Sequence, residues 1–584
     1  MTLSTRTRSF TATRAALTVV LALLFTAPAF AQSAPQLAST LPDIPPVGAV
    51  TARHGMVVAQ ERHAAEIGAA VLARGGNAVD AAVAVGFALA VTYPRAGNLG
   101  GGGFMVIHLA NGHRNTSIDY RETAPAKASP DMFLDAQGQP DSVKSRDTGL
   151  AVGVPGTVAG LLMAEEKYGS GKLTIAELIR PAIGLAENGF KIADDLADTL
   201  PRSRERLGHW PSSARIFFKN GAPLQQGDRL VQPDLAATLR AIAAQGARGF
   251  YEGRIAEQIA AAVRGAGGIM TADDLRNYQA IERPVIHGTY RGYDVISMPP
   301  PSSGGVCLVE MLNILEGYDL AKLGRGADSF HLEIEAMKRA YADRAVYMGD
   351  PATVKMPLDE LTSKSYAARQ RASIGPRGTP SSQIRAGAAS REGQNTTHFS
   401  VIDRDGNAVA NTYTLNFSYG LGLVADGTGV LLNNELDDFT AKPGASNAYG
   451  LVGFAANLPG PNKRPLSSMT PTIVLKDDKP VLVTGSPGGS RIITAVLQVI
   501  VNAIDFRMPI AQAVQAPRLH HQWMPDETDA EPGFAPAALD ELRARGHTVV
   551  PTAPHTSANS IAVTAPGVTG APDSRTRGAT AAGY

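Results

Sequence analysis

The chain has 584 residues and a mass of 61.0 kDa, enough for two to four domains of ordinary size. Its 44% hydrophobic content supplies a sizeable core and excludes wholesale disorder. Lys and Arg total 54 against 53 Asp and Glu, a net charge of +1, so there is no basic excess of the kind that nucleic-acid binding requires.

Residues 1–31 read as a secretory signal. Arg6, Arg8 and Arg14 form a positive leader without acids, Ala15 to Phe25 is an apolar stretch, and Ala29-Phe30-Ala31 is a small-x-small cleavage site. The apolar stretch is too short to anchor the mature chain, and no later segment reaches 18 uninterrupted apolar residues. These features predict a periplasmic or secreted protein with no membrane anchor once the signal is removed.

Helical apolar patterning runs over Glu61–Ala73 and Asn77–Ala90, broken by Gly75-Gly76. Phe104–Leu109 and Thr116–Tyr120 read as strands. The glycine run Gly97 to Gly103 lacks a preceding strand and the Gly-Lys-Ser/Thr of a phosphate loop, so it predicts no nucleotide site. From Ala151 to about Ala342 the pattern is mostly helical. The single cysteine, Cys307, excludes an intrachain disulfide or a cysteine metal cage, and its neighbours predict a buried helix start. Thr397–Asp403 and Ala408–Thr414 predict a hairpin around Asp405-Gly406, and Thr472–Leu475 with Val481–Thr484 a second strand pair. Ser490–Phe506 reads as a long apolar helix. Separate runs of strands and helices imply an α+β layered fold.

Between about Tyr366 and Asn395 the sequence turns polar and rich in Gly, Pro and Ser, then runs into Asn395-Thr396-Thr397-His398. Such a stretch suits an interdomain linker or an exposed leader that is cut away. A threonine hydroxyl is a poor nucleophile until the residue becomes a chain terminus, whose α-amine can take its proton. A Thr-Thr pair alone more often begins a strand.

The surrounding motifs single out Thr396. They are Asp119-Tyr-Arg-Glu-Thr-Ala-Pro125, Thr412-Tyr-Thr-Leu-Asn416, Asn433-Asn-Glu-Leu-Asp-Asp-Phe439, Asn462-Lys-Arg-Pro-Leu-Ser-Ser468 and Gly485-Ser-Pro-Gly-Gly-Ser490. Gly75–Ala82, Gly97–Phe104 and Gly153-Val-Pro-Gly-Thr-Val158 lie upstream. Together, from about Ala52 to Tyr584, the sequence resembles the γ-glutamyltransferases (γ-glutamyl transpeptidases, glutathione hydrolases) among the N-terminal-nucleophile hydrolases.

The resemblance implies a four-layer αββα sandwich built from two subunits cut from one precursor between Asn395 and Thr396. The large subunit would be residues 32–395, with its flexible linker at about 366–395, and the small one residues 396–584. It implies attack by Thr396 on the γ-glutamyl amide of glutathione or a related compound. The resulting ester is resolved by water or by an amino-acid or dipeptide acceptor. Thr414 matches the family's second threonine, and Gly488 and Gly489 its oxyanion-hole glycines; read alone, Pro-Gly-Gly-Ser is a turn before a helix. By the same match Arg121, Ser467 and Ser468 hold the substrate α-carboxylate. Glu435, Asp438 and Asn416 hold its α-ammonium. Tyr449 would close a lid, Pro443–Val452, that is otherwise an ordinary glycine-rich loop. No cofactor is implied. The adjacent pair His520-His521 and the lack of His-Glu-x-x-His predict no catalytic metal, and His398 reads as structural. The rivals are a cephalosporin (glutaryl) acylase or a poly-γ-glutamate-acting relative, which share the nucleophile but alter the pocket. An inactive binding protein on the same fold is a third.

Overall fold

The computed structural model describes residues 48–384, 396–445, 447, 451, 453–564 and 567–584. The signal segment, Asn395 and Tyr449 lie outside the described residues. Two seven-stranded sheets form the centre. The first runs Thr580–Gly583, Met56–Ala59, Thr397–Ile402, Ala408–Thr414, Gly102–Leu109, Arg114–Asp119, Ile281–Arg283. The second runs Val50–Ala52, Gly567–Ala571, Ser560–Thr564, Lys479–Thr484, Thr472–Lys476, Tyr293–Ser297, Ile286–Tyr290. Each sheet contains strands from both sides of residue 396, so residues before and after that point share one fold; Pro42–Tyr584 is one compact unit.

The alternation of side chains along each strand creates four layers. Met56 and Val58, Phe104 and Val106, Ala408 and Ala410 meet Ile296, Ile473, Leu475, Val483 and Ile561 between the sheets. Their neighbours Val57, Ala59, Met105, Ile107, Phe399 and Val401 point the other way, into helices Arg62–Ala73, Ala78–Thr92 and Thr157–Tyr168. On the far side, Val295, Val474 and Leu482 pack with helices Gly304–Leu315, Ala327–Tyr347 and Arg491–Ile504. Each fully buried Val, Leu or Ile adds on the order of 1.5–3 kcal/mol. Strands apolar on both faces are therefore the structural mainstay.

The glycine run has a packing role. A Cβ at Gly100, Gly101, Gly102 or Gly103 would lie 2.1–2.4 Å from the carbonyl oxygens of Leu431, Thr414, Tyr120 and Thr412, respectively. Ala78–Thr92 is buried at every position, and Asn77 with Asp80 closes its N-terminus in a capping box. Cys307 is fully buried in helix Gly304–Leu315, and burial holds its thiol pKa well above the ordinary value.

Two regions differ from the sequence reading. The mostly helical middle also supplies Ile281–Arg283, Ile286–Tyr290 and Tyr293–Ser297, the last two joined by a turn with Arg291 and Gly292 at positive φ. The segment read as flexible from Tyr366 is structured as far as Ile384. Helix Lys364–Ala372 comes first, then main-chain bonds in which Thr379 N donates to Glu335 (2.9 Å) and Ser381 N to Asp526 (2.7 Å). The buried Glu335 and the half-buried Asp526 draw in a polar chain that composition alone assigns to solvent.

Candidate active site

Thr397 pairs with Tyr413 in the antiparallel hairpin Thr397–Ile402/Ala408–Thr414. One step further in that register sets Thr396 opposite Thr414, so strand pairing brings together two threonines 18 residues apart in sequence. Both are largely buried, and both line one cavity. Thr414 Oγ1 accepts the Asn416 main-chain N–H at 2.8 Å. Asn416 adopts φ of 73°, which turns the chain out of the strand, and its Nδ2 donates to Asn434 O at 2.8 Å. His398 bonds Thr412 Oγ1 (2.8 Å) and Ser400 Oγ (3.0 Å), and burial lowers its pKa to about 3. It is a neutral structural residue, as expected.

Gly489 forms part of the cavity wall. Gly488 and Gly489 have φ of 130° and 58°, and a Cβ on Gly488 would stand 2.7 Å from Thr556 Cγ2. Helix Arg491–Ile504 begins two residues later. The first N–H groups of a helix lack intrahelical acceptors and carry its positive dipole end. The turn therefore leads into the helix N-terminus from the same cavity wall as Thr396.

Opposite them lies a charged floor. Arg121 is fully buried; its Nε donates to Pro465 O (3.1 Å) and its two terminal nitrogens donate to Glu435 and Asp438. Burial penalises the Arg121 charge, but Glu435 and then Asp438 keep it firmly protonated. Glu122 lies 3.9 Å from Arg121, with neither carboxyl oxygen hydrogen-bonded. Burial raises the Glu122 pKa to about 8 against the pull of Arg121, which favours its protonated form. Burial likewise raises Glu435 well above its ordinary value and raises Asp438 too, with Arg121 opposing. One guanidinium cannot hold three buried carboxylates ionised.

Ser467 and Ser468 form another wall. The loop at Pro301–Ser303 grips them: Ser467 N donates to Pro301 O (2.8 Å), and Ser303 N and Oγ donate to Ser467 O (2.8 and 2.7 Å).

A single cavity thus collects Arg121, Thr396, Thr414, Asn416, Glu435, Asp438, Ser467, Ser468 and Gly489. Gly488 adjoins this wall through Gly489. Leu451, from the expected lid Pro443–Val452, also lines it; sequence reasoning missed Arg344, Met469 and Ile492 in the same wall, and Glu122 beside Arg121. A signal for Arg344 existed. Helix Ala327–Tyr347 carries Glu333, Glu335, Lys338, Arg339, Asp343 and Arg344 at successive angles, more charge than one solvent face can hold, and all are buried.

Among the described residues, His331, Glu335 and His547 form one cluster able to offer three metal ligands. There His331 Nδ1 and His547 Nε2 bond each other at 2.8 Å, while Arg339 Nη1 (2.7 Å) and Thr379 N (2.9 Å) donate to Glu335. His547 Nδ1 has no hydrogen-bond partner there, and Lys338 lies 3.6 Å from Glu335.

The family profile described as Gamma-glutamyltranspeptidase matches residues 64–583. The chain is 53% identical over 561 residues to the glutathione hydrolase proenzyme of Escherichia coli strain K12, covering 94% of this chain and 96% of that one. A crystal structure of Helicobacter pylori gamma-glutamyltranspeptidase matches with a TM-score of 0.55 and 48% identity, over 59% of this chain and 97% of that chain. A cephalosporin acylase from Bacillus halodurans matches with a TM-score of 0.80 and 27% identity, over 94% of this chain and 98% of that chain. The chain belongs to the gamma-glutamyltranspeptidase family.

Proposed function

We propose that this protein is an exported γ-glutamyl transferase and glutathione hydrolase that matures by cutting itself between Asn395 and Thr396. The observation that carries the reading is the pairing, in one cavity, of two opposed threonines with a floor of one guanidinium and two acids. A γ-glutamyl group is a zwitterion at its α-carbon, and its carboxylate and ammonium match that floor in charge.

In this reading Thr396 Oγ attacks the Asn395 carbonyl, the Asn395–Thr396 C–N bond breaks as the Thr396 nitrogen takes the hydroxyl proton, and water hydrolyses the resulting ester to leave Thr396 as a new N-terminus and Asn395 as a carboxylate. Its α-amine, with an ordinary pKa near 7.7–8.0, then removes the hydroxyl proton as Oγ attacks the substrate γ-carbonyl. The negative oxygen that forms takes hydrogen bonds from the Gly488 and Gly489 main chain; one such donor is worth roughly 3–4 kcal/mol. The leaving amine receives the proton from the α-ammonium. Water or an acceptor amine, deprotonated by the same group, resolves the γ-glutamyl ester. Thr414 holds its hydroxyl beside the nucleophile. Arg121, Ser467 and Ser468 take the α-carboxylate, while Glu435, Asp438 and Asn416 take the α-ammonium. Arg121 then exchanges its carboxylate partners for the substrate's. Tyr449 closes the pocket. In support, the chain on either side reaches the cavity: Asn447 Nδ2 donates to Asp438 Oδ1 at 3.3 Å, and Leu451 lines the wall.

The two-chain product also accords with the Helicobacter pylori match, in which nearly all of that chain spans 59% of this one. Residues 1–31 direct export to the periplasm or medium. Among the described residues no helix is long and apolar enough to cross a membrane.

The likeness to a cephalosporin acylase supports a second reading, hydrolysis of glutaryl amides. Glutaryl lacks the ammonium and would leave Glu435 and Asp438 without a cation from the substrate. Comparing γ-glutamyl-p-nitroanilide with glutaryl-p-nitroanilide tests the choice. We expect strong preference for the first; preference for the second would overturn the reading.

A further inference from the structure

Arg344 sits one turn from the end of helix Ala327–Tyr347, far in sequence from the other cavity residues, yet it lines the same wall. Only 4% of it is exposed. Its Nη2 donates to Ser468 Oγ at 3.0 Å and its Nε to Ser303 Oγ at 2.8 Å. Ser303 Oγ in turn donates to the Ser467 carbonyl at 2.7 Å. Among the described residues its side-chain bonds thus go to two neutral hydroxyls, while Asp438 feels its charge without bonding to it.

Two consequences follow from elementary hydrogen-bond chemistry. A hydroxyl has one proton and two lone pairs. Ser468 Oγ already accepts from Arg344, so its proton is free to be given away. Ser467 Oγ accepts the Met469 N–H at 3.1 Å, and its proton is free in the same way. Two hydroxyls arranged to donate suit an anion and repel none of its lone pairs; they offer an ammonium less. Second, a buried guanidinium bonded only to neutral groups gains most from a nearby negative charge.

We propose that Arg344 is the positioning residue for the α-carboxylate half of the site. It turns the Ser468 hydroxyl toward the substrate carboxylate, holds the Ser467 loop through Ser303, and adds a second positive charge to that of Arg121.

This inference rests on the γ-glutamyl reading above, and the test separates the two. The kinetics of matured parent, Arg344→Lys, Arg344→Gln and Ser468→Ala proteins are measured with two anilides. One is γ-glutamyl-p-nitroanilide; the other is 4-aminobutyryl-p-nitroanilide, which keeps the ammonium and lacks the carboxylate. Arg344→Gln should raise KM for the γ-glutamyl substrate by about tenfold or more, with kcat changed little, since a charge-assisted bond to the carboxylate is weakened. Its kcat/KM for the 4-aminobutyryl substrate should stay within about threefold of the parent. Arg344→Lys should recover part of the γ-glutamyl KM, and the Arg344→Gln effect should shrink when Ser468→Ala is already present. Equal losses on both substrates would mean a purely structural role and overturn the proposal, as would an unchanged γ-glutamyl KM. If Arg344→Gln fails to mature, Arg344→Lys and Ser468→Ala decide: a loss confined to the carboxylate-bearing substrate supports the proposal, and a loss on both refutes it. A parent enzyme that turns over neither γ-glutamyl nor 4-aminobutyryl anilide refutes the γ-glutamyl reading instead.

Discussion

The two halves of the cavity are built in different ways. The reactive half, Thr396 facing Thr414, is set by the register of a regular hairpin, where each residue's partner is fixed by its neighbours'. The recognition half, Arg121 with Glu435, Asp438, Ser467, Ser468 and Arg344, comes from a strand end, a helix turn and loops scattered over more than 300 residues. A register is robust, because slipping it by one residue would turn every side chain of a two-faced strand over. A buried charge cluster has no such protection, and each member depends on the others to stay tolerable in a dry site. Changes in the first half should therefore abolish chemistry, and changes in the second should alter affinity and stability.

The largest effect is expected at the nucleophile. Thr396→Ala should yield an uncut chain with activity reduced by about 10⁴-fold or more, read by gel and by anilide hydrolysis. Next comes the donor turn. Gly488→Ala introduces a side chain at φ of 130° with Thr556 Cγ2 only 2.7 Å away. It should lower kcat on the order of 10²- to 10³-fold by moving the main-chain donors; an unchanged kcat would remove them from the mechanism.

In the recognition half, Arg121→Ala should mature normally yet raise KM on the order of a hundredfold. It should also lower Tm, because Glu435 and Asp438 lose their partner. An unchanged KM would contradict the carboxylate assignment. The smallest effect concerns Glu122, which faces Arg121, with Glu435, Asp438 and Asp119 nearby. With its pKa raised by burial to about 8, the folded state keeps the proton that the unfolded chain loses above about pH 4.5. Stability is thus lost as pH rises from about 4.5 to about 8. Glu122→Gln removes that loss, so its Tm should gain on the parent across this window and hold the gain above it. Its KM should also lack the rise that ionised Glu122 causes above about pH 8 by competing for Arg121. A Tm difference independent of pH would place the Glu122 proton elsewhere.

The same contrast explains what was legible in the sequence. The hairpin around Asp405-Gly406 and the helix Arg491–Ile504 announce themselves through local turn chemistry and periodicity, and both form close to the expected bounds. The Ile286–Tyr290/Tyr293–Ser297 hairpin was hidden. Its turn uses Arg291-Gly292 in place of Asn-Gly or Asp-Gly, and Gly288 interrupts the strand pattern. Helix Lys364–Ala372 was hidden because only Ala367 is buried in it, leaving too little apolar pattern to distinguish it from linker. Motif resemblance supplied Arg121, Asn416, Glu435, Asp438, Ser467 and Ser468, and the cavity unites them. The charge crowded around its helix marks Arg344 as buried, but what Arg344 and Glu122 touch across the fold is encoded in no local spacing.

The most direct test of the account is a denaturing intact-mass spectrum of the purified mature protein, with N-terminal sequencing of the lighter species. The account predicts two chains, the lighter one beginning at Thr396. A single uncut chain that nevertheless hydrolyses γ-glutamyl-p-nitroanilide, or a lighter chain beginning at another residue, would contradict it.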